Sequence, residues 1–327
     1  MSEFFQNLAE RILGGTPLSD QEAYDLGKRV SSAQGDDLSA LAAAALRLKE
    51  SHFPGVMSLC SIVNAKSGRC SENCKFCAQS SHHDTQCDEY PFIDVDKILA
   101  AARAMREAGA SRFAVVTSGK GLTGDDFEQL LKAINGIRTL GLAADASVGI
   151  LHPEQLQAMK AAGLQAYHHN LETARSFFPE VCTTHAYDED VATVRAAMEA
   201  DLYVCCGGLF GLGENWDHRV ELALELRSLG VDSIPVNFLT PIPGTPYGKR
   251  DIMLPEEAIR IVALLRFILP QQHIRICGGR PAVFGSRKAE ALTCGASGLM
   301  IGDYLTTRGE AAASDLDDLK RLGLKPE

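Results

Sequence analysis

From Met57 onward, short apolar runs of strand length alternate with longer stretches in which Leu, Ile and Ala recur at three- and four-residue spacing. That alternation predicts βα units and a parallel sheet. Strands are predicted at 58–64, 112–117, 142–148, 166–170, 202–207, 233–239, 273–277 and 298–301. Helices are predicted between them at 94–108, 125–139, 153–161, 188–200, 216–228 and 255–267, several opening on Asp or Pro and closing near Gly. Eight such units predict an α/β fold, a closed (β/α)8 TIM-type barrel. Ahead of it, 21–30 and 38–49 read as helices and form an N-terminal helical cap, and 314–324 reads as a charged terminal helix. The expected division is a helical extension over 1–50, the barrel over 51–310 and a helical tail over 311–327. In such a barrel the chemistry lies at the C-terminal strand ends and the loops that follow them.

Composition narrows the partners more than the activity. With 46% hydrophobic residues among 327, the chain can bury a full core. A formal charge of −10 argues against nucleic acid, whose phosphates call for clustered Lys and Arg. The longest apolar runs, such as 261–265, are far too short to span a bilayer, and Met1-Ser2-Glu3 does not open like a signal peptide. The expectation is a cytoplasmic protein without a membrane or nucleic-acid partner. Ten cysteines are many for that compartment, where thiols serve as metal ligands, reactive groups or small core residues more often than as disulfides.

Three of them form a compact C-x3-C-x2-C run, Cys70, Cys74 and Cys77, on the loop after the first strand. Three close thiolates can hold three corners of a 4Fe-4S cubane and leave one iron open. A structural zinc site would want a fourth protein ligand in a paired cluster, which no other loop supplies as C-x2-C. The spacing, with Phe76 just before the last Cys, resembles the radical S-adenosylmethionine superfamily. The resemblance implies S-adenosylmethionine on the open iron and a 5'-deoxyadenosyl radical that abstracts hydrogen. The segment Gly207-Gly208-Leu209-Phe210-Gly211-Leu212-Gly213-Glu214 is similar to the superfamily's adenine-contacting segment, which points to Gly208 and Gly211.

From 58 to about 322 the sequence resembles the biotin synthase family. The matches include Lys66, Tyr167-His168-His169-Asn170-Leu171-Glu172, Pro235-Val236-Asn237, Pro243-Gly244-Thr245-Pro246, Ile274-Arg275-Ile276-Cys277-Gly278-Gly279-Arg280 and Leu305-Thr306-Thr307. The resemblance implies radical sulfur insertion into dethiobiotin, with a second iron-sulfur cluster as sulfur donor. By position, Cys70, Cys74 and Cys77 would be catalytic, and Phe76, His169 and Glu172 would contact the cofactor. Asn170 and Asn237 would hold the ureido ring, and Thr306 and Thr307 the carboxylate. Amides can satisfy a ureido donor and acceptor together, although a strand-end Asn or Thr is as readily a cap or turn residue. Because side chains alternate along a strand, only one of His168 and His169 is expected to face the lumen. Further implied partners are a flavodoxin or ferredoxin electron donor, a sulfur and iron-sulfur delivery system and a second copy in a homodimer.

The second cluster departs from the family pattern. Most members hold a 2Fe-2S cluster on three cysteines and an arginine, but two of those cysteine positions are Ala114 and Asp145 here, leaving Cys205 and Arg275. In their place, Cys60, Cys206 and Cys277 fall near the same lumen. The period of two sends Cys277 inward with Arg275. The expectation is a rebuilt auxiliary cluster of 4Fe type with an extra exchangeable sulfide, held by Cys60, Cys205 and Cys277, with Cys206 the candidate fourth ligand. The bland alternative is that each is a small core residue. Asp190 stands roughly where the family has a basic residue near the cofactor carboxylate, and Arg195 is the expected substitute. Cys87, Cys182 and Cys294 suggest no role. Two other readings stay open: another radical enzyme of this barrel type, such as a hydrogenase maturase or methylornithine synthase, and a non-catalytic iron-sulfur redox sensor.

Overall fold

The computed structural model describes residues 2–327. The strands are β1 (Val56–Lys66), β2 (Arg112–Thr117), β3 (Ala143–Ser147), β4 (Ala166–His168), β5 (Tyr203–Cys205), β6 (Gly208–Phe210), β7 (Ser233–Phe238), β8 (His273–Ile276), β9 (Gly298–Met300) and β10 (Lys325–Pro326). They run parallel in the order β1-β2-β3-β4-β5-β7-β8-β9, and β9 pairs back onto β1 at Ser58, Leu59 and Cys60. This is a closed eight-stranded α/β barrel, as the alternating pattern predicts. Its fifth strand is broken into β5 and β6, both of which pair with β7.

The break has a steric cause. A Cβ on Gly207 would lie 2.2 Å from the carbonyl oxygen of Pro235, and one on Gly208 would lie 2.6 Å from that of Glu172. Only glycine lets the strands approach this closely.

Helices α1 (Ser2–Leu13), α2 (Asp20–Ser31) and α3 (Gly35–His52) precede the barrel, and α4 (Val95–Glu107), α5 (Gly124–Thr139), α6 (Pro153–Ala162), α7 (Tyr187–Glu199), α8 (Trp216–Leu229) and α9 (Pro255–Ile268) form its outer layer. Short α10 (Arg280–Phe284) and α11 (Lys288–Leu292) fill the last connection, and α12 (Ala312–Arg321) follows β9. The first helix of the cap falls in a segment where the sequence pattern predicts none. The predicted tail helix ends at Arg321, and the chain returns as β10 to pair with Val56 and Met57. None of the described helices is long and apolar enough to cross a membrane.

Strand alternation divides the barrel's residues by chemistry. Leu59, Phe113, Val115, Ala144, Ala146, Tyr167, Val204, Ile234, Val236, Ile274, Ile276 and Leu299 join one buried apolar core beneath the helices. Each large aliphatic or aromatic side chain there contributes about 1.5–3 kcal/mol of burial. The intervening positions turn inward and carry Ser58, Cys60, Asp145, His168, Cys205, Ser233, Asn237 and Arg275, which are absent from that core. A lumen lined this way is polar and titratable inside an apolar shell.

Candidate functional site

The cysteine loop is folded back on itself by its own backbone. Cys70 N–H donates to the Gln79 carbonyl at 2.9 Å, Ser81 N–H to Cys70 at 2.8 Å, and Cys77 N–H to Cys74 at 3.0 Å. Lys75 N–H bonds the Val181 carbonyl at 3.0 Å, which docks the loop against the segment after β4. All three thiols thereby border one open cavity, together with Phe76, His169, Asn170 and Glu172. None is in a disulfide. Three free thiols on a tight loop at an open cavity fit a cubane with one exchangeable corner.

Charge in this cavity is concentrated on a relay that the sequence reading missed. His185 donates from Nδ1 to Glu72 at 2.7 Å and from Nε2 to Asp190 at 3.2 Å, while Asp190 also accepts from His169 Nε2 at 2.9 Å. The Asp190 bond, with Cys182 and Glu72 in support, lifts His185 to about 11, so it stands as an imidazolium. Asp190 is therefore an anchor for two histidines and not a stand-in for a basic residue. Arg195, the expected substitute, is exposed on α7. His185 instead is the buried cation at this cavity, in a Thr183-Thr184-His185 stretch without a spacing signal. Cys182 lies in the same cavity with its thiol in contact with that of Cys74.

His168 and His169 each reach a cavity, but different ones. β4 ends at His168, which faces the lumen, and His169 beyond it turns into the cavity bordered by the cysteine triad. Glu172 adopts a left-handed backbone at φ 62, pinned where Leu209 N–H donates to its carbonyl at 2.8 Å. Burial pushes its carboxyl up to about 7.

Deeper in the barrel, Cys60, Cys205 and Cys277 are buried and gathered around Arg275. The neighbouring Cys277 thiol, with help from Arg275, draws Cys60 below the ordinary thiol value against its burial. Burial pushes Cys205 up to about 12. Arg275 is held by Ser233 Oγ at 2.9 Å and by the Ser58 carbonyl at 3.3 Å. Soft thiols beside a fixed guanidinium suit an anionic iron-sulfur group. Cys206, the expected fourth ligand, points the other way: it is part of the outer apolar core with Leu171 and Val204. Strand alternation carries on through the break, so the lumen receives three of the four thiols.

Asp145, at a lost cysteine position, is fully buried and paired. Arg112 donates to it from Nε at 2.9 Å and from Nη2 at 2.8 Å, and His168 from Nε2 at 3.1 Å. Burial alone would raise the carboxyl, but Arg112 and His168 hold it below its ordinary value.

A second cavity runs from the lumen to the loop after β9 and is lined by Asn170, Asn237, Cys277, Thr306 and Thr307. Both amides are oriented by backbone. Asn170 Oδ1 accepts from Gly207 N–H at 3.2 Å. Asn237 Oδ1 accepts from Gly278 N–H at 3.0 Å and its Nδ2 donates to Gly208 at 3.3 Å. Phe76, Cys77, Asn170 and Glu172 line both cavities, so the two adjoin. Gly208 and Gly211 border neither of them; Leu209 between them forms the wall, and Gly211 N–H donates to Glu214 at 3.1 Å. Cys87 contacts Ser67 at 3.6 Å, and Cys294 is buried in the outer core.

Comparison with known proteins agrees with this architecture. Residues 65–226 match the family described as the Radical SAM superfamily, and residues 235–325 match the Biotin and Thiamin Synthesis associated domain. Among solved structures, methylornithine synthase superposes with a TM-score of 0.83 at 18% identity, over 98% of this chain and 97% of that one. The FeFe-hydrogenase maturase of Carboxydothermus hydrogenoformans gives 0.80 at 18% identity, over 99% of this chain and 79% of its own. At that identity these share the fold. The sequence is 50% identical to biotin synthase of Trichlorobacter lovleyi over 97% of this chain and 95% of the relative. It is 46% identical to biotin synthase of Geobacter metallireducens over 99% and 98%. The chain belongs to the biotin synthase family of radical S-adenosylmethionine enzymes.

Proposed function

We propose that this enzyme converts dethiobiotin to biotin and draws the sulfur from an auxiliary cluster of 4Fe type carrying an extra sulfide. The observation that carries the reading is the adjacency of three sites: a thiol triad at one cavity, three lumen thiols below the next, and two amides between them, Asn170 lining both cavities and Asn237 the second. A hydrogen-abstracting radical acts only where the target carbon meets it, and the sulfur source must lie on that carbon's other side.

In this reading Cys70, Cys74 and Cys77 hold the first cluster, which with S-adenosylmethionine supplies the 5'-deoxyadenosyl radical. His185 faces the cofactor carboxylate, Glu172 and His169 its other polar groups, and Phe76 its adenosine. With Asn237 bonded to backbone at both ends, and Asn170 to Gly207 N–H and to Glu172 Oε1 at 3.4 Å, each amide keeps one N–H and one lone pair, which matches a ureido ring's alternating donors and acceptors. Thr306 and Thr307 stand at the cavity mouth, where hydroxyls can receive a carboxylate tail. Cys60, Cys205 and Cys277 hold the auxiliary cluster, and Arg275 offsets its charge. The implied partners are a flavodoxin or ferredoxin, a sulfur delivery system and a second copy of the chain, in the cytoplasm.

The test is anaerobic turnover of reconstituted, reduced protein with S-adenosylmethionine and dethiobiotin, following deoxyadenosine, biotin, iron and sulfide. About two deoxyadenosines per biotin are expected, because two hydrogens must be removed. Deoxyadenosine without biotin would reject the substrate. Unchanged iron and biotin in Cys60→Ala and Cys277→Ala would reject the auxiliary cluster.

A further inference from the structure

With Cys206 turned into the outer core, the lumen offers three thiols for a cluster of four irons. We infer that His168 is the fourth protein ligand of the auxiliary cluster, through Nδ1, and that Asp145 is the positioning residue that aims it; this rests on the auxiliary-cluster reading above.

The backbone places the imidazole beside the thiols. His168 in β4 and Cys205 in β5 are register partners. Partners in a parallel sheet lie about 4.8 Å apart and point to the same side. Cys205 faces the lumen, so His168 does as well, and it lines the cavity that Cys277 also borders. The imidazole lies within electrostatic reach of Cys60, as does Asp145. His168 and Cys277 thus border the cavity, with Cys60 and Cys205 buried beside Cys277.

The ring is oriented as metal-binding histidines are. A metal-ligating His characteristically gives its other ring N–H to a carboxylate, which fixes tautomer and direction. His168 gives Nε2–H to Asp145 at 3.1 Å, and an ionised carboxylate can only accept, which leaves Nδ1 as the ring nitrogen able to ligate. Among the described residues Nδ1 has no hydrogen-bond partner. Asp145 cannot swing away, because Arg112 grips both of its oxygens.

The same geometry explains why one cysteine position became Asp. Asp145 and Arg112 close the lumen on the β2–β3 side and leave the thiols of β1, β5 and β8 as the remaining soft donors. Imidazole in place of thiolate removes one negative charge from the ligand set and raises the cluster's potential, as histidine does in Rieske centres.

The test uses the full chain carrying Cys70→Ala, Cys74→Ala and Cys77→Ala, reconstituted anaerobically with iron and sulfide so that the auxiliary site alone is loaded. Pulsed EPR of the reduced cluster is recorded for protein at natural abundance and for protein labelled with 15N only at histidine. The expected result is a 14N coupling that becomes a 15N coupling on histidine labelling, which separates His168 from Arg275. The coupling should vanish in His168→Gln and weaken in Asp145→Asn, with a lower midpoint potential in His168→Cys. A loaded cluster whose nitrogen couplings ignore histidine labelling overturns the inference while leaving the auxiliary cluster standing. Failure of the triple variant to bind iron overturns the auxiliary-cluster reading, and the inference with it. The labelling comparison needs no substitution at His168, so a variant that fails to fold does not blunt the test.

Discussion

Arg112 and Asp145 meet across β2 and β3 in a two-pronged ion pair, 2.9 and 2.8 Å, with the carboxylate fully buried. Removing the guanidinium leaves an uncompensated charge in the lumen. Arg112→Ala should cost about 3 kcal/mol, measured by anaerobic urea unfolding. A double-mutant cycle with Asp145→Ala should show less than additive loss, because the second substitution removes the stranded charge.

Cys205 and Cys206 are chain neighbours with opposite duties. Cys206→Ala should leave iron and sulfide content unchanged and lower stability by about 1 kcal/mol, through the small void left in the outer core. Cys205→Ala should lower the bound iron. Equal iron loss in both variants would place Cys206 in the cluster's ligand set.

The carboxyl of Glu172, pushed up to about 7 by burial, sets a pH dependence. Between its unfolded value near 4.5 and about 7, the folded chain holds a proton that the unfolded chain has lost. Stability therefore falls as pH rises through that window. Glu172→Gln removes this slope, so the variant's gain in unfolding midpoint, without cofactor, should be larger at pH 8 than at pH 5.

His185 offers the cofactor cavity a cation fixed between Glu72 and Asp190. Loss of one charge-assisted hydrogen bond is worth about 1.5–3 kcal/mol. His185→Ala should raise the KM for S-adenosylmethionine at least tenfold in a deoxyadenosine assay. His185→Lys or His185→Arg should recover part of it.

At Gly207 the limit is steric, since a Cβ would sit 2.2 Å from a backbone oxygen that cannot yield without shifting β7. Gly207→Ala should cost about 3 kcal/mol, visible as a lowered Tm and as disturbed placement of Asn170, whose Oδ1 accepts from that residue's N–H.

Features that depend on spacing along one segment are legible in the chain alone. The triad on its loop, the alternation of strand and helix and the inward direction of Cys277 beside Arg275 all follow from local periodicity, and each holds in the barrel. Features that depend on which strands become neighbours emerge only in the folded barrel. The Asp145 carboxylate finds Arg112 on β2 and His168 on β4; Cys60 finds Cys277 across β9; and His185, 113 positions from Glu72, reaches into the cofactor cavity. Cys206 follows the local rule instead, because alternation from the inward Cys205 turns it into the outer core and the strand break does not reverse that. Closure of the sheet converts distant inward positions into one lumen, and no local pattern encodes those meetings.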